Sequence, residues 1–187
     1  MKRRSLTAAA VIMMTLAAPL AVSAQSTAAD GAVVQRTEAA VVSDTAQAVP
    51  VELTREERIS NKIAELMNEK RTGEGKTVLA VRSELAESAV VRANELPRKA
   101  SHDRPDGSAY LTAVNLSYNQ IGENFAYACV PGMSEEAIAA YLVEGWMNSQ
   151  VHHDNILKSD WTDTGIGVCI QGDTVYAIQL FMEATSN

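Results

Sequence analysis

Residues 165–181 constrain the fold more than any other stretch of this 187-residue chain. From Gly165 to Ile170 the residues alternate, placing Ile166, Val168 and Ile170 on one face of a strand. Gln171-Gly172-Asp173 supplies a turn, and Thr174 to Phe181 returns as a second β-rich run. This period and turn chemistry predict an antiparallel hairpin. Amphipathic helices precede it, and helices covering such a sheet make an α+β domain.

Those helices are announced by their ends. Thr54 with Glu57 forms a capping box, and Ile59, Ile63, Leu66 and Met67 follow at helical spacing until Gly73 and Gly75. After the extended Val78-Leu79-Ala80-Val81, Ser83 is expected to cap a second helix. Its apolar stripe is Leu85, Ala89, Ala93 and Leu96, and Pro97 stops it. A short third helix is expected at Tyr110, Leu111 and Val114, then a strand through Ile121–Ala128. Ser134 caps a further helix with Glu135 and Glu136 in its first turn, where negative charge suits the dipole. Ile138, Leu142 and Trp146 line one face of it. It ends at Asn148-Ser149 and leaves His152 and His153 in the turn that follows, where only one of them can face a given site.

Before the domain, which spans residues 54–187, the chain has two other regimes. Lys2, Arg3 and Arg4 precede an apolar run from Leu6 to Val22, and Val22-Ser23-Ala24 offers small residues at a cleavage site. Residues 1–24 therefore read as an export signal, the alternative being an uncleaved anchor. Residues 25–53 lack aromatics and any sustained period, and read as a flexible tether. Cleavage after Ala24 removes three cations and no anion, taking the formal charge from −7 to −10. An acidic chain with no basic run beyond its first residues does not suit nucleic acid, which is bound through clustered Lys and Arg. The expected product is secreted, with no stable membrane span after cleavage.

The chemistry-bearing residues are few. Two of the three histidines, His152 and His153, lie in Asn148–Leu157; the third, His102, lies in the polar turn Ser101–Gly107. A histidine in such a turn is either solvated or part of a cleft. Between them, Glu123 and Asn124 interrupt an apolar strand. A half-buried carboxylate needs partners: backbone N–H groups in a structural role, or a histidine in a functional one. We expect folding to gather His102, Glu123 and His152 around one open cleft. Cys129 and Cys169 are the only cysteines. In an exported chain such a pair reads first as a disulfide, with a catalytic Cys beside a histidine as the alternative.

In order along the chain stand Ser101-His102, Pro105-Asp106-Gly107, Gly122-Glu123-Asn124, Trp146-Met147-Asn148-Ser149, His152, Asn155-Ile156-Leu157 and Gly165-Ile166-Gly167-Val168. This succession resembles the bacterial secreted branch of the CAP superfamily, or SCP domains, which includes cysteine-rich secretory and pathogenesis-related proteins. The resemblance covers roughly residues 56–182. It implies an α-β-α sandwich with a small antiparallel sheet between helices and a cleft over the sheet. It also implies two cleft histidines, His102 and His152, and one acid, Glu123. The family's second acid falls where this chain has Ser149, Gln150-Val151 replaces the usual Pro-Gly, and His153 stands where Arg is common; His153 either adds a ligand or faces solvent. Cleft residues implied are His102, Glu123, Asn124, Ser149, His152 and Asn155, with His102 and His152 as the ligands of a weakly held divalent metal such as zinc.

Two imidazoles fall short of the three protein ligands of a catalytic zinc site. Glu123 either supplies a third ligand or hydrogen-bonds an imidazole and sets its tautomer. The first class of function is an extracellular binding module for a lipid, peptide, glycan or protein partner. The second is a metal-dependent, peptidase-like hydrolase with Glu123 as general base.

Overall fold

The computed structural model describes residues 52–185. The expected export signal, residues 1–24, and all but the end of the expected tether lie outside the described residues. In chain order the elements are α1 (Arg55–Gly73), β1 (Ala80–Val81), α2 (Ser83–Glu95), a 3-10 turn (Tyr110–Ala113) and β2 (Tyr118–Cys129). They are followed by α3 (Glu135–Met147), α4 (Gln150–Leu157), β3 (Asp163–Gln171) and β4 (Thr174–Ala184).

The expected hairpin is β3–β4, paired from Asp163↔Met182 to Gln171↔Thr174 and turned at Gly172, whose φ of 57° favours glycine. β2 adds antiparallel to the other side of β4, and β1 adds parallel to the start of β3, giving the order β1-β3-β4-β2. The sheet is thus mixed, its one parallel pair formed by the extended segment ahead of α2. Period-two alternation sends Ile166 and Val168 to one face, toward α1, α3 and α4, where Ile59, Ile63, Ile138, Leu142 and Trp146 are buried. The opposite face carries Phe125, Ile178 and Leu180 against Leu85, Ala89, Ala93 and Leu96 of α2. Helices therefore cover both faces, as an α-β-α sandwich requires.

Gly165 and Gly167 set the distance between α2 and the sheet. A Cβ on Gly165 would sit 2.3 Å from the Leu85 carbonyl carbon, and one on Gly167 2.1 Å from that of Ala89. The helix backbone rests directly on β3, which leaves these two positions no side chain.

Three local expectations are corrected. The cap of α2 is Arg82, with no side-chain capping bond; Ser83 is already helical and its hydroxyl donates to the Glu84 carboxylate, 3.1 Å. The segment at Tyr110 is a single 3-10 turn. His152 and His153 lie within α4, not in a turn. The capping box of α1 and the Ser134 cap of α3 form as the residue types predict.

The Cys129–Cys169 disulfide is also overturned: both are free thiols. Cys129 pairs with Thr174 and Cys169 with Tyr176, so β4 runs between them. Two strand spacings are about 9.6 Å, beyond the roughly 6.8 Å Cα separation a disulfide spans.

Candidate functional site

β2 is one of the two outer strands of the sheet, and its consecutive residues Glu123 and Asn124 point to opposite faces. Each holds one of the histidine-bearing segments, so both segments are referred to the same two residues of one strand.

On the α2 side, Glu123 meets Arg92. The stripe of α2 buries Arg92 completely, and its Nε and Nη2 donate to Glu123 Oε2 and Oε1 at 2.8 and 3.2 Å. Nη2 also donates to the Ser101 carbonyl, 2.8 Å, so the same guanidinium holds the backbone just ahead of His102. His102 Nδ1 then lies 2.8 Å from Glu123 Oε1. A carboxylate accepts, so Nδ1 carries the hydrogen and, in the neutral ring, Nε2 keeps the lone pair. The ring rests edge-on against Phe125, with centroids 4.9 Å apart, and its backbone carbonyl accepts from Tyr110 N. Glu95 balances the remaining charge, accepting from Arg92 Nη1 at 2.6 Å and from Arg104 Nη2 at 2.7 Å. Burial lowers the Arg92 pKa, but the hydrogen bonds and charges of Glu123 and Glu95 outweigh it, leaving the guanidinium more basic than usual. Burial likewise raises Glu95, and Arg104 with Arg92 brings it below the ordinary carboxylate value. Burial, then the Glu123 charge, pushes the Tyr110 phenol to about 12.

On the other face, α4 is held at both ends of its inner side. Arg71 of α1, itself buried, donates to the carbonyls of Ile156 and Lys158 at the end of α4, where a cation suits the helix dipole. Asn124 Nδ2 donates to the His152 carbonyl, 3.2 Å, and Asn155 Nδ2 donates to Asn124 Oδ1, 3.0 Å. Trp161 Nε1 closes the chain on the Asn155 carbonyl, 2.8 Å. A Cβ at Gly122 would stand 2.9 Å from the Trp161 ring, which accounts for glycine before Glu123.

α4 turns His152 inward, where it is 3% exposed and neither ring nitrogen has a protein partner. Burial lowers its pKa, and the positive charge that nearby His102 carries when protonated lowers it further. His153, one residue on, is half-buried, with its ring 3.3 Å from Asp154. Ser149 precedes α4 without a side-chain capping bond.

The structure therefore brings His102 and Glu123 into contact and His152 within electrostatic reach, with Asn124 and Asn155 supporting α4. Sequence reading missed Arg92. Its signal was an arginine inside the Leu85–Ala89–Ala93–Leu96 stripe, a position that buries charge unless an acid meets it. Among the described residues no group of three or more His, Cys, Asp and Glu side chains is placed to hold a metal ion.

This sandwich, with two histidine segments anchored on an outer Gly-Glu-Asn strand, defines an SCP-type domain. The chain belongs to the CAP family, the cysteine-rich secretory protein family, which matches residues 64–182. It is 29% identical over 116 residues to the uncharacterized protein YkwD of Bacillus subtilis, covering 59% of this chain and 42% of that one. An extracellular SCP-domain protein from Bacillus anthracis superposes with a TM-score of 0.53 at 26% identity, covering 68% of this chain and 41% of the other. NaASP2, solved with Zn²⁺, superposes with a TM-score of 0.51 at 15% identity, covering 69% of this chain and 81% of that one. The chain thus spans less than half the length of YkwD and of the B. anthracis protein.

Proposed function

We propose that this chain is an exported, extracellular binding module whose cleft at His102 and His152 receives a lipid, peptide, glycan or protein partner. The observation that carries this reading is the commitment of Glu123. Both of its oxygens accept from Arg92, and one also meets His102. With its side chain fully buried and three donors already on its two oxygens, Glu123 is turned toward Arg92 and His102 and not toward a bound molecule. It orients an imidazole instead. Export is supported by the leader-like residues 1–24, and by the extracellular B. anthracis protein that the chain resembles. No helix of the described residues is long and apolar enough to cross a membrane.

The donor set bears on the metal. His102 Nε2 and the unpartnered ring of His152 suit a labile divalent ion completed by water, with zinc the natural choice for imidazole nitrogen. Bound there, such an ion would polarise an oxygen of the ligand; His102, His152 and the Glu123–Arg92 pair hold the cleft walls in place.

Two measurements test the reading. Calorimetric zinc titration is expected to give weak binding that disappears in His102→Ala and His152→Ala; equal affinity in all three proteins removes these residues from metal binding. Time-resolved digestion of a peptide library, with and without chelator, is expected to yield no chelator-sensitive cleavage. Cleavage that chelator abolishes and Glu123→Gln eliminates would make the chain a hydrolase and overturn the binding assignment.

A further inference from the structure

The sheet has a second edge, far in the strand order from β2. There β1 covers only the start of β3: Ala80 N and Arg82 N donate to the Thr162 and Thr164 carbonyls. Peptide groups alternate between the two sides of a strand. The N–H and C=O of Ile166, Val168 and Ile170 therefore point to that same edge, and among the described residues no strand pairs with them.

α1 and α2 stand on either side of this edge and leave a groove between them. One part, of about 450 Å³, reaches Ile166. It continues past Glu57, Ser60 and Val90 into a second hollow of about 390 Å³ that reaches Val168 and Ile170. These volumes fall within the range of ligand sites. Leu53 and Val90 line it while remaining 47% and 43% exposed, so apolar side chains are available on both walls. Its charge has one sign: Glu56, Glu57 and Glu87 line it, with no Lys or Arg among the lining residues. A second copy of this acidic chain is repelled from such a rim, whereas a cationic strand is attracted.

We propose that this groove binds an extended, basic segment of a partner protein, which adds to the sheet as a strand alongside β3. Main-chain hydrogen bonds to Ile166, Val168 and Ile170 supply the pairing. Alternate side chains of the segment meet Leu53 and Val90, or reach the three glutamates. At about 3.3 Å per residue, the exposed edge seats roughly five residues. The site lies apart from the histidine cleft and does not depend on its assignment.

Fluorescence anisotropy of a labelled, alternating Lys-Val hexapeptide with the full chain tests this. The expected result is saturable binding, weakened about tenfold by Glu56→Gln with Glu87→Gln, as for two exposed charge contacts, and abolished by Val90→Arg. Circular dichroism checks that the variants fold, and the peptide carries its own controls. N-methylation of alternate peptide nitrogens is expected to abolish binding, and replacing its lysines by glutamate likewise. Equal binding of the N-methylated peptide would leave only charge attraction and overturn the strand pairing. Absence of saturation overturns the site. A peptide-independent dimer in sedimentation equilibrium that Val90→Arg dissociates would give the groove to a second copy instead.

Discussion

Replacing Arg92 by Met keeps an unbranched side chain in the α2 stripe and removes the cation between Glu123 and Glu95. The side chains of Arg92 and Glu123 are both 0% exposed, and three kinds of contact disappear: those to Glu123, to Glu95 and to the Ser101 carbonyl. Glu95 keeps Arg104, so the loss falls on Glu123, left charged in the interior with only His102 beside it. Removing one partner of a buried pair costs about 3–5 kcal/mol, a large share of the roughly 5–15 kcal/mol that holds a domain together. For a domain of this size that corresponds to a fall in Tm of about 10–20 °C. Urea denaturation followed by the fluorescence of buried Trp146 and Trp161 reads it directly. Arg92→Met with Glu123→Leu removes both charges and is expected to regain at least about 1 kcal/mol over the single variant. A single variant within about 1 kcal/mol of wild type, or a double variant no better than the single, would refute the description of this pair as a buried, mutually dependent unit.

Three further outcomes are expected. Because burial and His102 lower the His152 pKa, the unfolded chain binds a proton that the folded one resists. Stability from this group is complete above its unfolded value of about 6.5 and declines as pH falls through that value toward the lower folded pKa; Tm measured across that window should drop, and His152→Gln should flatten the drop. Thiol titration of the denatured, unreduced chain should find two thiols, with exposed Cys129 reacting first in the native protein; a mass two hydrogens short would restore the disulfide. Gly167→Ala places a Cβ 2.1 Å from the Ala89 carbonyl carbon and should cost about 1–3 kcal/mol by overpacking, read as a lower urea midpoint; an unchanged midpoint would show that α2 can shift away from β3.

What was legible in the residues had a local cause. The Thr54–Glu57 box, the Ser134 cap and the Gly172 turn each satisfy their own backbone within a few positions, so residue type alone announces them. The alternation of β3 and β4 likewise reflects a burial pattern printed on each strand. What was not legible depended on partners distant in sequence. Arg92 reads as a defect in an apolar stripe until Glu123, 31 residues away, is folded onto it. The helical state of Gln150–Leu157 owes much to Arg71 at its end and Asn124 at its side, neither encoded within it. The cysteine pair misled because compartment and number argue for a bond, whereas strand order alone decides whether the two sulfurs meet. Glu123 and Asn124 were recognisable as misfits in a strand; that they serve opposite faces followed from the same alternation.

The position of β2 has a consequence for assembly. The hairpin of β3 and β4 closes through a short loop, whereas β2 must be recruited across some fifty residues to reach its place beside β4. Until it arrives, neither imidazole has its anchor, even if every helix is formed. The placement of both histidine segments therefore rests on a pairing between strands distant in sequence, and loosening β2 from β4 would release the two anchors together.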